Sequence, residues 1–147
     1  MSSSPVLSPR QVFERQRRAI NARAWSELAD VYADDVVVEL PFNLPEPLRL
    51  IGRQQLHERF MAGSRLPIEM EMRNLVIHET DDPEVIVAEF DYHGHLTTDP
   101  NRTFSVANVI VMRVSDGRIV WSRDYHNHAA LSAVLGDVPE LTTPASA

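Results

Sequence analysis

The order of apolar patterns along the chain predicts an α+β fold, with helices first and a curved antiparallel sheet after them. Three observations lead there. Apolar residues recur at helical spacing through the first 60 or so residues, and from residue 67 onward they alternate in the two-residue period of strands. Residues 106–136 read as a long hairpin followed by a short apolar helix. Helices grouped ahead of consecutive strands are the α+β arrangement, unlike the regular strand–helix alternation of a parallel sheet.

Ser8 is a natural N-cap, Pro9 fits the first helical position and Gln11 stands where a capping-box partner belongs. Leu7 and Val12 have the spacing of a hydrophobic staple, and Val12, Phe13, Ala19 and Ile20 form the buried stripe of this first helix. Trp25, Leu28, Ala29 and Tyr32 repeat at helical spacing and predict a second short helix, ended by Asp34-Asp35. Residues 36–40 are too short for a helix and read as a strand. Pro41, Pro45 and Pro47 forbid regular structure and predict a loop carrying Phe42, Leu44, Leu48 and Leu50 as apolar teeth. That loop either packs on the core or walls a pocket. A third helix follows over 52–61, with Leu56 and Phe60 four apart.

Ile68, Met70 and Met72 alternate with Glu69, Glu71 and Arg73, and then the apolar phase slips by one residue to Leu75 and Ile77. A slip of that kind predicts a bulge near residues 73–74 that re-aims the strand. Asp81-Asp82-Pro83 is a turn, 84–98 a long strand, 98–101 another turn and 103–114 the next strand. Ser115-Asp116-Gly117 supplies the positive-φ residues of a tight hairpin turn. On the strand after it, Val120, Ser122 and Asp124 share one face and Trp121, Arg123 and Tyr125 the other. A short helix is expected over 129–135. Residues 1–7 and 137–147 are expected to be tails around a single domain spanning 8–136.

Composition bounds the function. A chain of 147 residues with 44% hydrophobic and 24% charged residues suits one soluble domain with a real core. A formal charge of −7 argues against nucleic acid as a partner. The one basic cluster, Arg10, Arg15, Arg17, Arg18 and Arg23, reads as a solvated helix face. There is no cysteine, so thiolate chemistry is excluded. No apolar run reaches the roughly 20 residues that span a bilayer, and the first residues lack the pattern of a signal peptide. No membrane partner and a cytoplasmic location are therefore expected.

The strand over 84–98 poses the functional question. One face carries Val85, Val87, Glu89, Asp91, His93 and His95; the other carries Ile86, Ala88, Phe90, Tyr92 and Leu96. Pattern alone sends the apolar row to the core and the charged row to water. The alternative turns the charged row into a pocket. There, desolvation and mutual repulsion would raise the pKa of Glu89 or Asp91 into the range useful for proton transfer. His93 beside Asp91 would then be a proton shuttle. The pairs His93/His95 and His126/His128 have ligand-like spacing, but the strand over 103–114 separates them by about 9–10 Å. That is too far for one ion, so no metal and no cofactor are expected. Trp25, Tyr32, Phe42 and Phe60 are core or pocket-wall residues, and Tyr32 has a hydroxyl to offer a substrate oxygen. Asn108, in an apolar strand, needs a hydrogen-bond partner. No G-x-S-x-G elbow or Gly-rich phosphate loop is present.

The run over 108–136, centred on DGRIVWSRDYHNHAALSAVLG, resembles the SnoaL-like polyketide cyclase family of the ketosteroid isomerase-like, or nuclear transport factor-like, superfamily. The stretches ADDVVVELPF…PEPLRLIGRQQL and VIVAEFDYHG fit the same resemblance, which covers residues 8–136. It implies a cone-shaped α+β barrel around a pocket, and a homodimer. It places Asp124 on the acidic position that acts as acid/base in the cyclases and activates water in limonene-epoxide hydrolase-like relatives. Those relatives also carry an Arg-x-Asp pair where this chain has Glu89-Phe90-Asp91, so Asp91 matches and Glu89 does not. Phenazine-biosynthesis proteins of the superfamily have an end similar to Asp124-Tyr125-His126-Asn127. With the resemblance added, Glu89, Asp91 and Asp124 are expected to face inward. The implied function is cofactor-free acid/base catalysis on a small apolar oxygenated metabolite of polyketide, steroid or terpenoid kind. Water addition to an epoxide and non-catalytic small-molecule binding are the alternatives.

Overall fold

The computed structural model describes residues 5–136, so the expected tail over 137–147 lies outside the described residues. Helix α1 (Pro9–Ala22) begins in the expected capping box, with the Ser8 hydroxyl accepting from the Gln11 amide and the Gln11 side chain accepting from the Ser8 N–H. Arg23, at φ 57°, ends it in the left-handed conformation. Helix α2 (Trp25–Asp30) is shorter than its apolar spacing suggests. Tyr32, expected on the helix, is instead the first residue of strand β1 (Tyr32–Leu40), opposite Ile119 in the sheet.

Strand β2 (Leu48–Ile51) corrects the reading of this region as loop. The three prolines end at Pro47, and the residues beyond them are free to donate to the edge of β1, with Leu48 opposite Leu40. Helix α3 (Arg53–Gly63) follows from Gly52, whose φ of 91° suits glycine. Strands β3 (Ile68–Glu79), β4 (Val85–Leu96), β5 (Thr103–Ser115) and β6 (Arg118–His126) then form a meander, and helix α4 (His128–Leu135) closes the described chain. The expected bulge is present: Asn74 has φ 58° and the β3–β4 register slips between Arg73 and Val76. The hairpin turn is Asp116-Gly117, with φ 53° and 77°.

The six strands run in the order β2-β1-β6-β5-β4-β3. The expected sheet is antiparallel throughout; here β1 runs parallel to β6, because the chain reaches it across the helical layer rather than through a hairpin. The sheet is curved but unclosed, with β2 and β3 as its edges, so the implied barrel is open on one side.

The inner face packs on the helices. Ile86, Ala88 and Phe90 of β4 are buried there, and Phe90 meets Phe13 of α1 at 6.0 Å between ring centroids. Side chains alternate along a strand, so Glu89, Asp91 and His93 necessarily point to the outer face. A second cluster, Ile68, Leu96, Phe104 and Val106, packs under Ala130, Leu131 and Val134 of α4 at one end of the sheet. Among the described residues no helix is long and apolar enough to cross a membrane.

Candidate active site

A cavity of about 430 Å³ lies between the inner face of the sheet and the helices. Its wall is mainly apolar, with Ile20, Leu28, Val38, Leu40 and Ile110 contributing aliphatic surface. Asp124 lines it and is only 8% exposed. It is the one carboxylate among the described residues of the lining. Strand alternation explains this placement: Ser122 and Asp124 lie on the inner face of β6, with Asp124 opposite Ile110 of β5.

The carboxylate is held by polar neighbours. The Ser122 hydroxyl donates to Oδ1. His126 Nε2 stands 3.7 Å from Oδ2. The tautomer of His126 follows from its other nitrogen. Asn108 Nδ2 donates to the Val106 carbonyl at 2.9 Å, which fixes the amide orientation. Asn108 Oδ1 is then the acceptor 2.8 Å from His126 Nδ1, so Nδ1 carries the proton. In the neutral ring, Nε2 therefore turns a lone pair toward Asp124.

Two phenols share the cavity. Burial, reinforced by the charge of Asp124 and by Tyr92, pushes the Tyr32 hydroxyl well above its ordinary pKa. Desolvation and Asp124 do the same to Tyr92, a half-buried residue of the lining. Both stay protonated near neutral pH and serve as hydrogen-bond donors. Gln16 Nε2 donates to the Tyr32 hydroxyl at 3.0 Å. Arg59 of α3 lies at the rim, where desolvation lowers its pKa and Asp124 opposes that shift; its Nη2 donates to Asn43 Oδ1 at 3.2 Å. His128 also lines the cavity, and its buried Nε2 has no partner among the described residues.

Of the residues singled out from the sequence, Asp124, Tyr32, Trp25, Phe60 and Asn108 come together around this cavity. The expected inward placement of Glu89, Asp91 and His93 is corrected. Glu89 lies 2.6 Å from His78 Nε2, Asp91 accepts from Asn74 Nδ2 at 2.9 Å, and His93 meets Ser105 Oγ at 3.3 Å, all on the outer face. Phe42 is likewise outside: it is 60% exposed and packs edge-on against Tyr125, at 5.3 Å, beside a broad open depression of the outer face. The two histidine pairs lie apart: His93 and His95 border an outer-face depression, while His126 and His128 line the cavity and also reach the depression beside Phe42. Gln16, Arg59, Tyr92, His126 and His128 also line the cavity, and sequence pattern does not mark them as cavity residues. Gln16 had left one sign, a polar side chain inside the apolar stripe of α1.

An open α+β cone holding one buried carboxylate in a greasy cavity defines the class. The chain belongs to the SnoaL-like domain family, which it matches over residues 13–122. It is 25% identical over 116 residues to the uncharacterised protein YesE of Bacillus subtilis (strain 168), covering 78% of this chain and 76% of that one. Among solved structures, a candidate isomerase from Bacillus subtilis superposes with a TM-score of 0.79 at 18% identity, covering 87% of this chain and 92% of the other. A candidate polyketide cyclase from Xanthomonas campestris pv. campestris does so with a TM-score of 0.73 at 22% identity, covering 86% and 96%. At these identities the structural likeness is one of fold.

Proposed function

We propose that the protein is a cofactor-free acid/base enzyme acting on a small, largely apolar, oxygenated molecule. The observation that carries this reading is Asp124: an enclosed carboxylate on an apolar wall, with protonated phenols beside it. Asp124 takes a proton from a carbon next to a carbonyl. Tyr92 donates a hydrogen bond to the enolate oxygen as charge develops there. Ser122 holds Oδ1 of Asp124, which leaves Oδ2 as the working oxygen, and His126 Nε2 receives or returns the proton behind it. Returning the proton to another carbon gives isomerisation. Attack of the carbanion on a second carbonyl gives cyclisation, and loss of hydroxide from the β-carbon gives dehydration. Opening of an epoxide by water is disfavoured by the wall, which offers one carboxylate and no second acid of the Arg-x-Asp kind. The family resemblance and exposed apolar residues of the outer face support a homodimer as the working form.

The test is a pH–rate profile on a panel of enolisable ketones and epoxides, for wild type and Asp124→Asn. Ketone turnover should fall about 10²–10⁴-fold in the variant, the range expected for loss of a general base. Epoxides should remain unconsumed. Equal ketone rates in both proteins would refute Asp124 as the base. Ligand binding by both with turnover by neither would favour a binding module.

A further inference from the structure

Gln16 is a polar residue at an apolar position. It lies between Phe13 and Ala19 in the buried stripe of α1, is 4% exposed and lines the cavity. Its amide nitrogen donates to the Tyr32 hydroxyl, while its amide oxygen is buried with no partner among the described residues. A buried acceptor without a donor is destabilising, and such groups are rare in folded proteins. An unmet acceptor in the wall of a cavity points to a donor that arrives with the ligand.

The remaining valences define that ligand. The Gln16–Tyr32 hydrogen bond uses one donor and one acceptor. Left over are the Tyr32 O–H and the second amide N–H, both donors, and the Gln16 carbonyl, an acceptor. Turning the amide over exchanges the roles and keeps the remainder. Tyr32 then donates to the amide oxygen, the amide NH₂ is left as donor, and the phenol oxygen is left as acceptor. In either arrangement the pair offers two donors and an acceptor side by side. We propose that Gln16 and Tyr32 form a hydroxyl-recognition site, so that the substrate is an apolar molecule carrying an alcohol, phenol or enol O–H. One ligand oxygen accepts from the pair and donates back to it. This deepens, and rests on, the reading of the Asp124 cavity as the substrate site. Ethers, epoxides, ketones and carboxylates have no hydrogen to give and leave the acceptor unmet; an ammonium group has no lone pair. The substrate then bears two polar points, a hydroxyl at Gln16–Tyr32 and an acidic C–H at Asp124, on a carbon skeleton held by the aliphatic wall.

Thymol, p-cymene and thymol methyl ether form a matched set that fits the cavity: the same ring and alkyl groups with the O–H present, deleted or methylated. Titration calorimetry at neutral pH should give thymol at least about tenfold tighter binding to wild type than either analogue. In Gln16→Leu the preference should collapse toward parity, with p-cymene bound as well as before or better. Tyr32→Phe should reduce it too, and thermal melts verify that both variants fold. Parity in wild type, failure of thymol to bind, or a preference that survives both substitutions would each overturn the proposal. Asp124→Asn separates this inference from the reading it rests on. Hydroxyl preference in a protein that turns over no ketone leaves the recognition site standing and removes the chemistry. Turnover lost in Asp124→Asn without any hydroxyl preference does the reverse.

Discussion

His128 carries the clearest pH signature among the cavity side chains. Burial lowers its pKa from the ordinary 6.5, His126 and Arg59 push it further down, and Asp124 opposes them. Folding therefore keeps the ring neutral where the unfolded chain would take up a proton. Above the ordinary value neither state binds the proton and stability does not depend on it. As pH falls from there toward the lowered folded value, the unfolded state gains protons first and stability drops. Wild type should lose more urea stability than His128→Asn on going from about pH 7.5 to about pH 5. Equal losses in the two proteins would rule this out. At this scale the sequence is a partial guide. Asn108 and Tyr32 could be singled out because each is a polar group within an apolar pattern, and Asp124 because the family resemblance places it on an acidic position. Gln16 leaves a fainter sign, because a helical stripe three and four residues apart tolerates one polar member without losing its shape. Glu89 and Asp91 are instructive in the other direction. The alternation of β4 alone sends them outward, as observed, whereas the family resemblance suggested the opposite. A motif carries over positions, but the facing of a strand is decided by which row buries more apolar surface.

At the scale of elements, β4 shows how closely one backbone approaches its neighbour in the sheet. Gly94 lies opposite Phe104 of β5 and Met70 of β3. A Cβ there would stand 2.2 Å from the Glu69 carbonyl oxygen, 2.7 Å from the Phe104 ring and 2.8 Å from Met70 Cβ. Two of these are parts of the adjoining strand that cannot rotate away. Gly94→Ala should therefore force β3 and β4 apart and cost about 1–3 kcal/mol, read as a lower urea midpoint; an unchanged midpoint would contradict the close approach. The β3 bulge was legible because a one-residue slip in apolar phase has few other causes. Its consequence was not: Asn74, at positive φ, donates to Asp91 and gives that carboxylate a place in the outer-face network. Strand β2 escaped notice because four residues after three prolines carry too little pattern to tell a paired edge from a loop. The parallel β1–β6 pairing is a long-range fact that local spacing does not encode.

At the scale of the whole molecule, the outer face is the unexplained surface. Phe42, Leu44 and Val76 are 60%, 53% and 50% exposed and border one depression together with Tyr125. Apolar side chains gathered on one face in this way suit an interface between copies of the chain. A two-fold pairing would bring each Phe42 against the same patch of the partner. Each copy carries a formal charge of −7, so long-range repulsion opposes association, and salt screens it. Sedimentation should thus detect a monomer–dimer equilibrium that shifts toward dimer as sodium chloride rises from about 20 mM to about 300 mM. Phe42→Glu places a carboxylate on this patch of each copy and should leave a monomer at both salt concentrations. Its thermal melt should stay close to wild type, because Phe42 lies outside the cavity and the core. A wild-type protein that sediments as monomer at every concentration and both salts would remove the dimer.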